Sequence, residues 1–130
     1  MTATLVITFI ATDRPGIVER ISETVSNNGG NWLESRMAHL ASKFAGVATV
    51  SVSDAQAAAM TSALRALADD DLHLMIEAAA QTAGGDPGPL LRLDLVGADH
   101  PGILRDITHC LAERGVSVEE METSIEAAPH

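Results

Sequence analysis

Residues 12–18, TDRPGIV, decide how this sequence is organised, because a similar stretch, ADHPGIL, returns at residues 98–104. Each stretch follows an apolar run and precedes a helical pattern. Matched positions lie 86 residues apart. This offset holds without gaps from the pair Asp13 and Asp99 to the pair Glu34 and Glu120. A fixed offset is typical of an internal repeat. The sequence therefore predicts two copies of one structural unit.

Six elements are predicted in the first copy. After Pro15, apolar residues recur every four positions, which is typical of a helix, and a second helix follows Ser53 after two β-rich stretches. The predicted strands are residues 5–10, 31–40, 44–52 and 72–78. The order β-α-β-β-α-β over residues 3–79 predicts the ferredoxin-like split βαβ fold of the α+β class. In that fold, two helices cover one face of an antiparallel sheet whose strands lie in the order 4-1-3-2.

The second copy is incomplete. The first copy forms a complete domain at 1–80, and residues 81–89, QTAGGDPGP, have the composition of a linker. A partial domain at 90–130 has a predicted strand at 90–96, a helix, and a strand at 116–127, so it is a βαβ half with two unpaired strand edges. Two explanations remain open. The chain is a fragment of a longer protein, which we favour, or a strand of another chain fills the gap.

The repeated turn has a structural and a functional interpretation. Proline is preorganised for the first helical position, and an acid near the start can cap the helix. Alternatively, the free N–H groups of the first helical turn bind a carboxylate, which Gly16 and Gly102 allow to approach closely. Asp13 or Asp99 would then accept hydrogen bonds from an ammonium group. Together these groups fit a free amino acid, and the repetition of the turn favours this interpretation.

Composition excludes several other classes of function. The net charge is −10, with eight basic against eighteen acidic residues, which argues against direct binding to nucleic acid. A single cysteine, Cys110, rules out an internal disulfide framework. The opening residues lack the basic region of a signal peptide, and no apolar run is long enough to span a membrane. No histidine pair has the spacing of a helical metal site. We expect a cytoplasmic protein without membrane attachment, metal, cofactor or catalytic residues.

The two stretches DRPGIV…GGNW and DHPGIL…GVSV resemble the signature of the ACT-domain family, whose members commonly sense amino acids. The stretch NWLESRMAHLASKF at 31–44, taken with the tandem arrangement, is similar to the glycine cleavage system transcriptional repressor group. The resemblance covers most of 3–79 and all of 90–126. It implies a βαββαβ module that pairs with another copy and holds its ligand at the interface.

In the family, the acid or amide before the Arg-Pro-Gly turn and an asparagine after the helix-ending glycine contact the amino acid. We place the start of the next strand, Asn31 or Ser117, beside the turn of the same copy. The second copy departs from the pattern at Ser117 and His100. The candidate ligand-binding residues are Asp13, Arg14, Pro15, Gly16, Ile17 and Asn31 in the first copy, and Asp99, His100, Pro101, Gly102, Ile103 and Ser117 in the second.

These observations predict a non-enzymatic regulatory protein that binds a glycine-like or serine-like amino acid. By resemblance it would regulate glycine cleavage, form a homodimer and act on transcription through a protein partner. One alternative is a regulatory ACT fragment of an enzyme of amino-acid or one-carbon metabolism, resembling formyltetrahydrofolate deformylases or phosphoserine phosphatases. Another is a dimerisation module without a ligand.

Overall fold

The computed structural model describes residues 1–12, 15–79, 89–98 and 101–124. The chain divides into two compact units, Met1–Gly85 and Asp86–His130. Within the described residues, the elements are β1 (Thr2–Thr12), α1 (Ile17–Asn27), β2 (Asn31–Leu40), β3 (Lys43–Ser53), α2 (Asp54–Arg65), β4 (Leu72–Ala78) and α3 (Ile103–Glu113).

The first unit contains a four-stranded sheet in the order β2-β3-β1-β4. All three strand pairings are antiparallel, and β1 pairs with β3 from Thr2 opposite Ser53 to Thr12 opposite Lys43. Because β1 and β2 are both antiparallel to β3, they run parallel to each other. The predicted element order, strand order and ferredoxin-like fold are confirmed.

The core lies between one face of the sheet and the two helices. Strand β1 alternates buried and accessible residues, which is the period of a strand with one covered face. Helix α1 buries Ile17, Ile21 and Val25, and α2 buries Met60 and Leu64, each at 2% exposure or less. This spacing is that of one helical face, and in α1 it confirms the four-residue period predicted after Pro15.

A β-bulge in β2 keeps the core-facing side chains of this strand on one face of the sheet. Trp32 lies opposite Val50 and Glu34 lies opposite Thr49, so Leu33 is the extra residue of the bulge. Without it, Trp32 and Met37, which are five positions apart, would point to opposite faces of the sheet. With it, both pack against the core.

The second unit shows a helix without the predicted strands. Helix α3 occupies the predicted position, but the described residues 89–98 and 116–124 contain no strand. Residues 125–127 lie outside the described part of the chain. A strand is defined by hydrogen bonds to a neighbouring strand, and the strand pairings of the described residues all belong to the first unit. The predicted βαβ half is therefore seen only as its helix.

The hairpin between β2 and β3 has an unusual turn. Its two central residues, Ala41 and Ser42, have φ angles of 50° and 64°. Two-residue hairpin turns with positive φ at both positions favour Asn-Gly, because residues with a β-carbon are strained there. The turn therefore reduces the stability of the first unit.

We expect the double substitution Ala41→Asn and Ser42→Gly to raise the free energy of unfolding by about 1–2 kcal/mol, by relieving this strain. Fluorescence of Trp32, the single tryptophan, during urea unfolding measures the change in the first unit. The control Ser51→Gly, in the extended strand β3, should lower stability, because glycine weakens a strand. Equal or lower stability of the double variant would show that the turn is not strained.

Candidate functional site

Helix α1 begins with a glycine in the left-handed conformation. Gly16 caps the helix with a φ of 89°, and Gly102 caps α3 with a φ of 87°. A residue with a β-carbon in this conformation costs about 1–2 kcal/mol, so the backbone alone accounts for both glycines. Pro15 precedes the cap and is not the first helical residue, because the left-handed glycine separates it from the helix.

The first turn of α1 presents backbone donors. The first helical hydrogen bond runs from the N–H of Arg20 to the carbonyl of Gly16, at 3.0 Å. The N–H groups of Ile17, Val18 and Glu19 come before it and have no acceptor within the helix. Among the described residues, no side chain caps this helix start. Three donors at the positive end of the helix dipole can therefore receive an anion.

An open cavity of about 470 Å³ lies against this helix start. A β-carbon built on Gly16 would meet no atom within 4 Å, so the backbone is accessible there. The volume lies in the range of small-molecule sites, roughly 300–1,000 Å³. The cavity is lined by Pro15, Gly16, Ile17, Val18, Glu19, His39 and Phe44.

The opposite wall of the cavity comes from the β2–β3 hairpin. The rings of His39 and Phe44 stack with centroids 4.6 Å apart. Phe44 also packs edge-on against Phe9 at 5.7 Å, and Phe9 is only 2% exposed. The wall is thus anchored in the core through Phe44, while His39 remains exposed. Across the cavity, the carboxylate of Glu19 can accept hydrogen bonds from a cationic group.

Asn31 does not lie beside the turn of its own unit. It pairs with Ser51, which also pairs with Thr4 near the start of β1, whereas the turn follows Thr12 at the other end. Helix α1 separates the two ends, and its 11 residues span about 16 Å. The placement of Asn31 beside this turn is wrong. Strands β1 and β2 are parallel, so the end of β2, and not its start, lies at the edge of the sheet where the turn follows β1.

The structure places the remaining candidates as follows. Asp13, Arg14, Asp99 and His100 lie outside the described residues. Pro101 precedes the cap of α3 as Pro15 precedes that of α1, and Ile103 begins α3 as Ile17 begins α1. Ser117 is exposed and belongs to no strand of the described part of the chain.

Comparison with known proteins identifies the family. The family model described as ACT domain matches residues 3–78, more than half of the chain. The chain belongs to the ACT-domain family. ACT domains are regulatory, non-catalytic domains that bind amino-acid ligands and often form dimers. The family therefore supports small-molecule regulatory sensing without naming the ligand.

Solved structures share this fold. An unknown protein from Galdieria sulphuraria is 27% identical, with a TM-score of 0.78 over 100% of this chain and 75% of its own. A "putative glycine cleavage system transcriptional repressor" is 24% identical, with a TM-score of 0.67 over 88% of this chain and 68% of its own. A formyltetrahydrofolate deformylase from Pseudomonas putida is 12% identical, with a TM-score of 0.52 over 58% of this chain and 29% of its own. No curated protein sequence matches this one.

The described residues contain neither a metal-binding cluster nor a membrane-spanning helix. Across residues 1–12, 15–79, 89–98 and 101–124, no three or more His, Cys, Asp or Glu side chains form a group suited to a metal ion. Every helix in that part of the chain is too short or too polar to cross a bilayer.

Sequence reasoning missed Glu19, His39 and Phe44 as cavity residues. The necessary signal was present in the predicted topology. A βαβ crossover joins parallel strands, so the end of β2 and the start of β3 had to lie at the same edge as the turn before α1. His39 and Phe44 flank the predicted hairpin turn at that edge, and Glu19 lies in the first turn of the helix.

We expect Phe44→Ala to lower the free energy of unfolding by about 2–3 kcal/mol, because it removes a half-buried ring from the core. His39→Ala should cost less than about 1 kcal/mol, because an exposed stacked ring contributes little. Urea unfolding followed by Trp32 fluorescence measures both. Similar losses for the two variants would contradict the conclusion that Phe44 anchors the cavity wall.

Proposed function

We propose that this protein is a non-enzymatic, amino-acid-sensing regulator whose ligand carboxylate binds at the start of α1. The observation that carries the proposal is the group of three N–H donors, at Ile17, Val18 and Glu19, which have no cap among the described residues and lie beside a cavity of about 470 Å³. Backbone donors at a helix start bind a carboxylate without requiring a cationic side chain.

The surrounding groups suit the rest of an amino acid. Glu19 supplies a carboxylate to the cavity, and Asp13, just before the turn in sequence, would supply another. Either can accept hydrogen bonds from the ammonium group of the ligand. The stacked rings of His39 and Phe44 would face the side chain of the ligand, and the ligand that we propose is a small amino acid such as glycine or serine.

A site that also uses Asn31 would have to be shared between two copies. Asn31 lies at the end of the first unit opposite to the turn. The start of β2 from a second chain would complete the site, in agreement with the interface location that the family resemblance implies. Arg14, Pro15, Gly16 and Ile17 would belong to one chain and Asn31 to the other. The corresponding residues of the second unit, from Asp99 to Ile103 with Ser117, form a second candidate site.

Regulation of glycine cleavage is the specific role that we propose. The repressor-like structure matches 88% of this chain, across both units, whereas the deformylase matches 58%. The sequence at 31–44 also resembles the repressor group. With a net charge of −10, the protein would act in the cytoplasm through a protein partner that binds DNA, and would not contact nucleic acid itself.

A titration series tests ligand binding. We expect isothermal titration of the 130-residue chain with each of the twenty amino acids to show binding of glycine, serine or another small amino acid. The matching amino alcohol or methyl ester should fail to bind, because it lacks the carboxylate that the helix start would receive. Absence of binding by every amino acid would favour a dimerisation module without a ligand.

A complementation experiment tests whether the site is shared. We expect Asp13→Ala and Asn31→Ala each to abolish binding alone. Mixed in equal amounts, the two variants should recover about a quarter of the wild-type sites, because random exchange in a two-fold dimer rebuilds one intact site in each mixed pair. Ser51→Ala, beside Asn31, is the control that should bind normally. If each variant loses binding and the mixture recovers none, the site is not shared between chains.

A further inference from the structure

The third residues of helices α1 and α3 carry opposite charges. Glu19 and Arg105 are equivalent at the offset of 86, and the fourth residues, Arg20 and Asp106, are reversed in the same way. Each helix thus has an acid in its first turn, where a negative charge is favourable beside the helix dipole. The dipole explains an acid in the first turn, but it does not explain which of the two positions carries the acid.

The third and fourth positions of a helix face different directions. Successive residues project about 100° apart, so the exchange moves the carboxylate from one side of the helix start to another. In α1, Glu19 lines the cavity of about 470 Å³, whereas Arg20 is not among its lining residues. The first unit therefore has its carboxylate on the side of the cavity.

The fold does not require a carboxylate at the third position. Helix α3 has Arg105 there, yet it follows the same left-handed glycine and has the same length of 11 residues. Within the described part of the chain, the carboxylate of Glu19 forms neither an ion pair nor a hydrogen bond. Neither the turn nor a neighbouring side chain in that part of the chain accounts for the position of this charge.

The start of α3 has a cation beside it. A terminal guanidinium nitrogen of Arg105 lies 3.6 Å from a β-carbon built on Gly102. A β-carbon built on Gly16 would meet no atom within 4 Å in the described part of the chain. The same guanidinium lies 3.8 Å from the Asp106 carboxylate, and the Arg105 side chain is 85% exposed. The repeated turn is therefore followed by a carboxylate in one unit and by a guanidinium in the other.

We propose that Glu19 determines the charge of the ligand, so that the start of α1 binds an amino acid whose side chain carries no negative charge. The second candidate site, with Arg105 at the equivalent position, does not bind the same ligand. This inference rests on the proposed function, because it takes the ligand carboxylate to lie on the N–H donors of α1. It adds the class of ligand side chain and the number of sites, which is one in each chain.

Repulsion between like charges gives this selectivity. The ammonium group of the ligand donates hydrogen bonds to Glu19, whereas an acidic ligand side chain would bring a second carboxylate into the cavity that Glu19 lines. His39 is the titratable side chain on the opposite wall, and none of the described lining residues is a lysine or an arginine. Asp13 and Arg14, next to the turn in sequence, carry opposite charges. The repulsion from Glu19 is therefore not offset by a lining cation among the described residues.

L-Asparagine and L-aspartate test this selectivity, because they have nearly the same shape and differ in charge. We expect the wild type to bind asparagine about tenfold more tightly than aspartate in isothermal titration, and Glu19→Gln to lower that ratio at least about threefold. The matched control Glu23→Gln removes the same charge one turn further along α1, outside the cavity lining, and should keep the wild-type ratio. Equal affinity of the wild type for the two ligands, or an unchanged ratio in Glu19→Gln, would overturn the inference.

Glycine and L-serine separate this inference from the proposed function. If glycine, serine, asparagine and aspartate all fail to bind the wild type, the amino-acid site itself is wrong, and the inference is wrong with it. If serine binds but Glu19→Gln leaves the selectivity unchanged, the inference alone is wrong.

The number of sites tests the role of Arg105. We expect L-serine to titrate one site in each chain, and Glu19→Arg, which gives α1 the residue of α3, to weaken serine binding at least about tenfold. Glu23→Arg is the matched control and should bind serine normally. Urea unfolding followed by Trp32 fluorescence confirms that the first unit of each variant is folded. Two serine sites in each chain, or full serine affinity in Glu19→Arg, would show that a helix start with arginine at this position binds the ligand and would contradict the proposal.

Discussion

The rest of the first unit depends on the antiparallel pairing of β1 with β3. This pairing spans all of β1 without a register shift, and it makes β1 a central strand with β4 on its other side. It also makes β2 parallel to β1, so the carboxyl ends of both strands meet at one edge of the sheet. The start of α1 and the β2–β3 hairpin therefore face each other there. The position of the candidate cavity follows from this strand pairing, and no further side-chain contact is needed to bring its two walls together.

Two further features of the backbone determine which groups line the cavity at that edge of the sheet. Gly16 adopts the left-handed conformation at the start of α1, and the first backbone donors of the helix have no intrahelical acceptor. The bulge at Leu33 restores the inward alternation of β2, which places the His39 ring on the same face as the core and against Phe44. One side of the cavity thus contains backbone donors together with Pro15, Ile17 and Val18, and the other consists of rings anchored by Phe9. In the site that we propose, the charged groups of a small zwitterion would meet the backbone donors and the carboxylate of Glu19, and its side chain would meet the wall formed by the rings.

The sequence predicted the first unit well because its signals are local. Helical spacing at Ile17, Ile21 and Val25, alternation at 72–78 and turn residues between elements each report the structure of a few neighbours. The candidate site was only partly predictable. The glycine turn was recognised from its repetition, but Asn31 was assigned to the wrong end, because the start of β2 lies beside the start of β1 and not beside its end. His39 and Phe44 required the topology as well as the motif, since neither residue type is unusual in a hairpin.

The two copies of the repeat share the structure that local sequence determines, but they differ in burial, which depends on packing. Gly16 and Gly102 adopt nearly the same φ, and each begins a helix of 11 residues, so the turn and helix form in both units. Burial of the apolar helix face, however, differs between the two units. Ile21 is fully buried whereas its equivalent Ile107 is not, because burial depends on the second βαβ half that β3, α2 and β4 provide in the first unit. The first unit thus holds its candidate cavity beside a complete core, whereas the described residues of the second unit show the same turn and helix without buried residues.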